Sequence, residues 1–250
     1  NSFCTLLKPE PLHTSSTMPF GALLKEAGKV ADKVSGKVDE LTGKKKTRAG
    51  GCRDGTGHAI SEAEFAEQTA KVIKGDVRMF SGCKDSQTSA DVSNVASFGL
   101  PQVHGAEKAG GACTNALLST LQNQRELISY GDLLIEMQRT LKQRRYTQVP
   151  QLSSSRKVDL KAEKFTVMNP NPSGRTRAVL IGINYYGQKG ELSGCVNDVR
   201  QMKNFLVSQG FRDTPDCMQI LTDDKSLQNA APTAGNIIAA LQWLPKDAQP

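Results

Sequence analysis

Arg175-Thr176-Arg177-Ala178-Val179-Leu180-Ile181-Gly182-Ile183-Asn184-Tyr185-Tyr186-Gly187 is the stretch whose reading decides the fold. Within it, residues 178–183 form a near-continuous apolar run, rich in β-branched side chains and short enough for a fully buried strand. Gly187, Gly190 and Gly194 then make a loop. Residues 195–206 take up helical spacing, with Val196, Val199, Met202, Phe205 and Leu206 on one face, and Gly210 stops the helix. A second strand, residues 217–222, precedes Asp223-Asp224. Thr233 caps a further helix over 234–244, with Ile237, Ile238, Leu241 and Leu244 inward. Strand, helix, strand, helix is the opening of a parallel α/β sheet. Many functions share that layout, so it assigns none by itself.

The 250 residues suffice for one large or two small domains. Six cysteines, at positions 4, 52, 83, 113, 195 and 217, form no CxxC pair and no metal-ligand spacing. With no signal-peptide core either, the expectation is reduced thiols in a cytoplasmic setting. No apolar run approaches the ~20 residues of a membrane span. The formal net charge is +7, yet residues 18–50 alone hold eight Lys and Arg against four Asp and Glu, a local +4. The basic balance is thus largely the property of one short segment, and no nucleic-acid partner is expected.

That segment opens the chain. Residues 1–17 read as neither domain nor targeting sequence, and Met18 is the expected true start. Leu24, Ala27, Ala31, Val34, Val38 and Leu41 recur at steps of three and four, with Lys25, Lys29, Lys33 and Lys37 as a basic stripe beside them. One reading is a helix over 19–46 that lies on an anionic membrane surface or pairs with a partner helix. Gly28, Gly36 and the small core residues favour the other: a weakly helical, flexible basic arm over residues 1–50.

Between that arm and the deciding stretch, Gly50 to Gly55 reads as a loop. Ser61 with Glu64 forms a capping box that opens a helix through Ile73, its inward side Phe65, Thr69, Val72 and Ile73. Residues 77–82 read as a short strand running into a polar loop, 83–91. A glycine-rich approach, 105–111, leads into a helix over 114–121. It is no phosphate loop, because it lacks the Gly-Lys-Ser/Thr ending. A second helix spans 130–145, with Leu133, Leu134, Met137 and Leu141 inward, and a further strand is predicted over 164–168. Residues 169–174, Asn-Pro-Asn-Pro-Ser-Gly, are a linker by composition.

The words of the second half go further than its physics. AVLIGINYYGQKGELSGCVNDV, ILTDD and the PTAGNIIAALQWL helix resemble the start of the large catalytic subunit of metacaspases, caspase-like cysteine proteases that cut after Arg or Lys. In the first half, VRMFSGCKDSQTSADV, AGGACTNALLSTL, SYGDLLIEMQRTL and QVPQLSSSRKVDL resemble the metacaspase small subunit. The resemblance implies an α/β, caspase-like, mainly parallel sheet with flanking helices. A small-subunit-like region, 51–168, here precedes a large-subunit-like one, 175–250. That permuted order resembles the type III metacaspases of algae. The less favoured arrangement is a tandem or misjoined product, with one metacaspase ending near Met168 and another beginning near Arg175.

A cysteine protease needs a thiolate and a histidine within hydrogen-bond reach. In the family both follow later strands, and the resemblance would begin the first of those strands at Pro250. It therefore implies that the catalytic dyad lies beyond Pro250 and that no catalytic residue precedes it. The three histidines, His13, His58 and His104, all lie upstream and out of family context. Cys52 and His58 stand close in sequence, but glycine-rich loops position nucleophiles poorly, and an exposed loop is the expected reading. Part of the substrate pocket is present by resemblance. The family's Gly-Cys-x-x-Asp motif lines the primary specificity pocket, and it matches Cys195 and Asp198 here. A carboxylate at a pocket base suits a guanidinium or ammonium. The blander alternative makes Asp198 a cap on the first turn of its own helix.

Asp223 and Asp224 invite a calcium reading, since hard cations want clustered oxygens. Adjacent acids after a strand are more often a turn, and the family's calcium acids lie further along its large subunit, beyond Pro250. Asp85 and Asp91 either face the cleft or serve as Asx-type turn and cap, the latter slightly preferred. The expectation is therefore a fragment of a calcium-activated cysteine endopeptidase whose partners are peptides with Arg or Lys before the scissile bond. The alternatives are a non-catalytic caspase-like regulator and an adaptor acting through residues 19–46.

Overall fold

The computed structural model describes residues 4–8, 52–53, 59–73, 75–84, 87, 89–100, 109–123, 127–168, 176–225 and 229–246. In chain order these form β1 (Cys4–Lys8), β2 (Cys52–Arg53), β3 (Ala59–Ile60), α1 (Glu62–Val72), β4 (Asp76–Ser81) and β5 (Asp91–Val92). A 3-10 turn (Val95–Phe98) leads to β6 (Gly110–Gly111), α2 (Ala112–Gln122), α3 (Tyr130–Gln143) and β7 (Gln151–Ser154). Then come β8 (Ala178–Gly182), α4 (Cys195–Ser208), β9 (Met218–Thr222) and α5 (Ala234–Trp243). The arm 19–46, the linker 169–174, the three histidines and Asp85 lie outside the described residues. So does Pro250, and with it the expectation that a further strand begins there and leads to the dyad.

The helices start where their caps place them. The α1 capping box is closed in both directions: Ser61 Oγ accepts from the Glu64 amide at 3.2 Å, and Glu64 Oε2 accepts from the Ser61 amide at 2.8 Å. Its predicted inward face is only half-buried at Phe65, Thr69 and Val72 and fully buried at Ile73. Ser129 caps α3 by accepting from the Asp132 amide at 3.0 Å. The α3 face buries Leu133, Leu134, Met137 and Leu141 as its spacing requires. Each such side chain contributes about 1.5–3 kcal/mol, as an upper figure.

The strands assemble as small sheets. β4 sits between β1 and β7, antiparallel to both, with Leu6 opposite Arg78 and Phe80 opposite Leu152. β2 pairs β3 and β5 pairs β6, again antiparallel. Among the described residues β8 pairs β9 in parallel, in register Ala178 with Met218 through Gly182 with Thr222, and Leu221 makes a single parallel bridge to Ala230. The layout is mixed α/β and caspase-like, as expected, but the mainly parallel sheet is not found: four of the five strand pairings among the described residues are antiparallel, and the parallel one lies in the second half. One core runs through both halves, from Phe80, Leu118 and Leu133 to Ala178, Met202, Leu206 and Met218. No helix among the described residues is long and apolar enough to cross a membrane.

Five further expectations need correction. Residues 4–8, assigned to no domain, pair as β1 on the β4 edge. Cys52, placed in a loop, lies on the short β2–β3 ribbon. The strand predicted over 164–168 is not formed. Its backbone closes the N-terminus of α3 instead, through a Ser129–Lys164 bridge and a Phe165 amide donated to the Ile128 carbonyl at 2.8 Å. β8 reads in sequence as fully buried, but Val179, Leu180 and Ile181 are half-buried. The helix α5 shows the same thin cover: only Ala240 is buried, and Ile238 stands 52% exposed. Arg177 holds that helix by its C-terminus, donating to the Trp243 carbonyl at 2.8 Å and to that of Lys246, where cations suit the dipole.

Candidate functional site

The two halves meet at the first turn of α4. β8 delivers the chain to Asn184, which is fully buried. The next residue, Tyr185, is left-handed, with φ +57°, a conformation that costs a non-glycine residue of order 1–3 kcal/mol. Asp223, at the end of the neighbouring strand β9, holds the bend by accepting from the Asn184 amide at 2.9 Å and the Tyr185 amide at 2.7 Å. Gly194, the residue before α4, has no side chain with which to cap the helix. Asn184 does so from outside: its Oδ1 accepts from the amides of Cys195 at 3.0 Å and Val196 at 3.3 Å. Its Nδ2 donates to the Tyr186 hydroxyl at 2.8 Å.

This frame aims Asp198 at the other half of the chain. Asp198 is 3% exposed, and its Oδ1 accepts from the Gly111 amide at 2.9 Å. The neighbouring Asn197, also buried, donates through Nδ2 to the Ala109 carbonyl at 2.6 Å. From α2, Asn115 donates to the Gly111 carbonyl at 2.8 Å. Three buried polar side chains thus hold one short backbone segment. The approach is close enough to demand glycine. A Cβ on Gly111 would lie 2.5 Å from Asp198 Oδ2, and one on Gly194 would lie 2.8 Å from the Gly110 Cα and carbonyl carbon.

Cys195 and Asp198, paired by sequence motif, are brought together. Burial pushes the Cys195 thiol up, and the carboxylates of Asp198, Asp91 and Asp223 push it the same way. Asp91 is exposed on β5, directly opposite Gly111. The surroundings are acidic and suit a cationic side chain; they do not suit a thiolate nucleophile. Iodoacetamide at neutral pH should therefore label Cys195 several-fold more slowly than a free cysteine, with the rate climbing as pH rises above ~8.5. Peptide mass spectrometry reads this, and labelling at the free-thiol rate would contradict it.

Asp198 lies in the first turn of α4, as the helix-cap alternative has it, and its carboxylate also reaches across to the Gly111 amide. Asp223 and Asp224, which invite a calcium reading in sequence, both have protein partners. Asp223 is engaged with two amides and Asp224 with Arg200 at 2.8 Å, and no group of three or more metal-ligating side chains stands among the described residues. Cys52 is placed on its ribbon, while His58 lies outside the described residues. Sequence reasoning missed Asn184, Asn197 and Asn115. The only signal was position: an asparagine ending an apolar strand, and one inside the Cys-x-x-Asp motif.

Comparison with known proteins identifies a family. A family model described as the metacaspase, peptidase C14 domain matches residues 176–250, and a caspase domain model matches residues 25–161. Metacaspase III c of Phaeodactylum tricornutum is 43% identical over 183 residues, which are 71% of this chain and 52% of that protein. Metacaspase-1 of Meyerozyma guilliermondii is 55% identical over 86 residues, 34% of this chain and 21% of the relative. Metacaspase-1 of Mycosarcoma maydis is 52% identical over 77 residues, 31% and 19%. The chain spans about half the length of the first relative and about a fifth of the two fungal ones.

Proposed function

The chain belongs to the metacaspases, peptidases of the caspase-domain family, and from that membership we propose that it contributes the basic-residue pocket of a cysteine endopeptidase acting after Arg or Lys. The observation that carries this reading is the Asp198 carboxylate, buried at the junction of the two halves and fixed by the Gly111 amide. A guanidinium or ammonium entering the pocket sheds water, and a fixed carboxylate repays that loss by charge-assisted hydrogen bonds. Exposed Asp91, across the β5–β6 pair, adds negative potential at the mouth.

Cys195 is a wall of this pocket in our reading: it is buried beside Asp198, and burial pushes its thiol up, away from the thiolate a nucleophile needs. No catalytic role is assigned among the described residues, which include no histidine. The small-subunit-first order, calcium activation and a cytoplasmic setting belong to the same proposal. The residues described here offer calcium no cradle, so a calcium requirement would rest on others. The test is hydrolysis of fluorogenic peptides by the full-length natural protein. Cleavage after Arg and Lys but not after Asp, abolished by thiol alkylation and by a calcium chelator, is the expected result. Cleavage after Asp alone, or none, would refute the proposal.

A further inference from the structure

We propose that Asn197 is a positioning residue for this pocket: its bond to the Ala109 carbonyl holds the 109–111 backbone where the Gly111 amide orients the Asp198 carboxylate. The inference rests on the pocket reading above. Asn197 and Asp198 are consecutive on the first turns of α4, so their side chains leave the helix about 100° apart. They nevertheless contact the same segment, Asn197 at Ala109 and Asp198 at Gly111, two residues along. In an extended segment, positions two apart present their polar groups toward the same side. The pair therefore grips that edge at two points, and a two-point grip fixes rotation as well as distance.

The grip has no slack. Gly194 lies against the Gly110 backbone so closely that a Cβ would sit 2.8 Å from it, and a Cβ on Gly110 would meet Asn115 Nδ2 at 2.5 Å and Asp198 Oδ1 at 3.0 Å. Burial sharpens the point. Asn197 is 2% exposed, and its Oδ1 has no hydrogen-bond partner among the described residues. A buried asparagine with an unsatisfied acceptor is an expensive way to fill space, and its one strong bond is the one to Ala109. Loss of that bond frees residues 109–111 to move away from α4 while α4 itself, capped by Asn184, stays in place. Asp198 would then keep its position and lose its fixed direction.

The consequence is specific to binding. An acid that meets the substrate side chain equally in ground and transition states affects KM, whereas a general loss of folded protein lowers kcat at constant KM. In the full-length natural protein, Asn197→Ser should raise KM for an Arg-terminated fluorogenic peptide about tenfold with kcat within about twofold. Hydrogen exchange on the unaltered protein provides a second reading that needs no variant to fold: the Gly111 amide should be protected as strongly as the amides of α4. A Gly111 amide that exchanges freely, or an Asn197→Ser enzyme whose KM is unchanged while kcat falls, overturns the positioning role. An unaltered enzyme that shows no preference for Arg peptides removes the pocket reading, and this inference with it.

Discussion

Asp198→Asn in the full-length natural protein is expected to lower kcat/KM on Arg- and Lys-terminated peptides by roughly thirty-fold to several thousand-fold. The range follows from the ~2–5 kcal/mol that removal of one partner costs a desolvated charge pair, at tenfold per ~1.4 kcal/mol. The substitution is chosen to leave the fold alone. Asparagine has the same shape as aspartate, and its Oδ1 still accepts the Gly111 amide that the carboxylate accepts at 2.9 Å. The charge is lost and the hydrogen bond stays. Melting of the variant should therefore match that of the parent to within a few degrees. A lowered melting temperature with an intact preference for basic residues would make Asp198 a structural group and the pocket assignment wrong.

Gly194→Ala should be strongly destabilising, because the methyl pushes the two halves of the site apart. The backbone at Gly194 is ordinary, with φ −110°, so alanine suffers no conformational strain there. The damage is steric. The new Cβ would lie 2.8 Å from two Gly110 backbone atoms and 3.0 Å from a third, and backbone has no rotamer into which to retreat. α4 and the 109–111 segment must separate, which frees the bonds from Asn197 to Ala109 and from Gly111 to Asp198. Buried polar groups left unsatisfied cost ~1–3 kcal/mol each, so a loss of roughly 3–5 kcal/mol is expected. For a domain of this size that is about 10 °C in Tm. Gly187→Ala is the contrasting change: φ is +71° but nothing lies within 4 Å, so only conformational strain of ~1–2 kcal/mol applies. Equal melting temperatures for the two variants would mean that the close approach of α4 to Gly110 does not matter to the fold.

What the sequence made legible, and what it hid, divides along a physical line. Features written in local periodicity or capping chemistry came through: the Ser61–Glu64 box, the α3 face of Leu133, Leu134, Met137 and Leu141, and the α4 stripe of Val196, Val199, Met202 and Leu206. Each needs only neighbours a turn away. Features decided by distant partners did not. Residues 164–168 alternate like a strand, yet the Phe165 amide and the neighbouring Glu163 carbonyl close the start of α3. Ile238 sits on an apolar helix and still faces outward. The site shows the same split. Cys195 and Asp198 could be named from their motif. Asn184, Asn197 and Asn115 could not, because an asparagine carries no periodic signal and its partners are the start of α4, Ala109 and Gly111. Asp223 reads in sequence as a turn acid, whereas in the fold it clamps another strand's end, 38 and 39 residues away.

In the proposed pocket, Asp198, aimed by the backbone of the other half, receives the substrate's basic side chain. The decisive measurement is a structure of the full-length natural protein trapped with an arginine aldehyde. The inhibitor's guanidinium is expected within about 2.7–3.0 Å of the Asp198 carboxylate, with the Gly111 amide still donating to Oδ1. A guanidinium bound to other acids, with Asp198 turned away from it, would rule the pocket out.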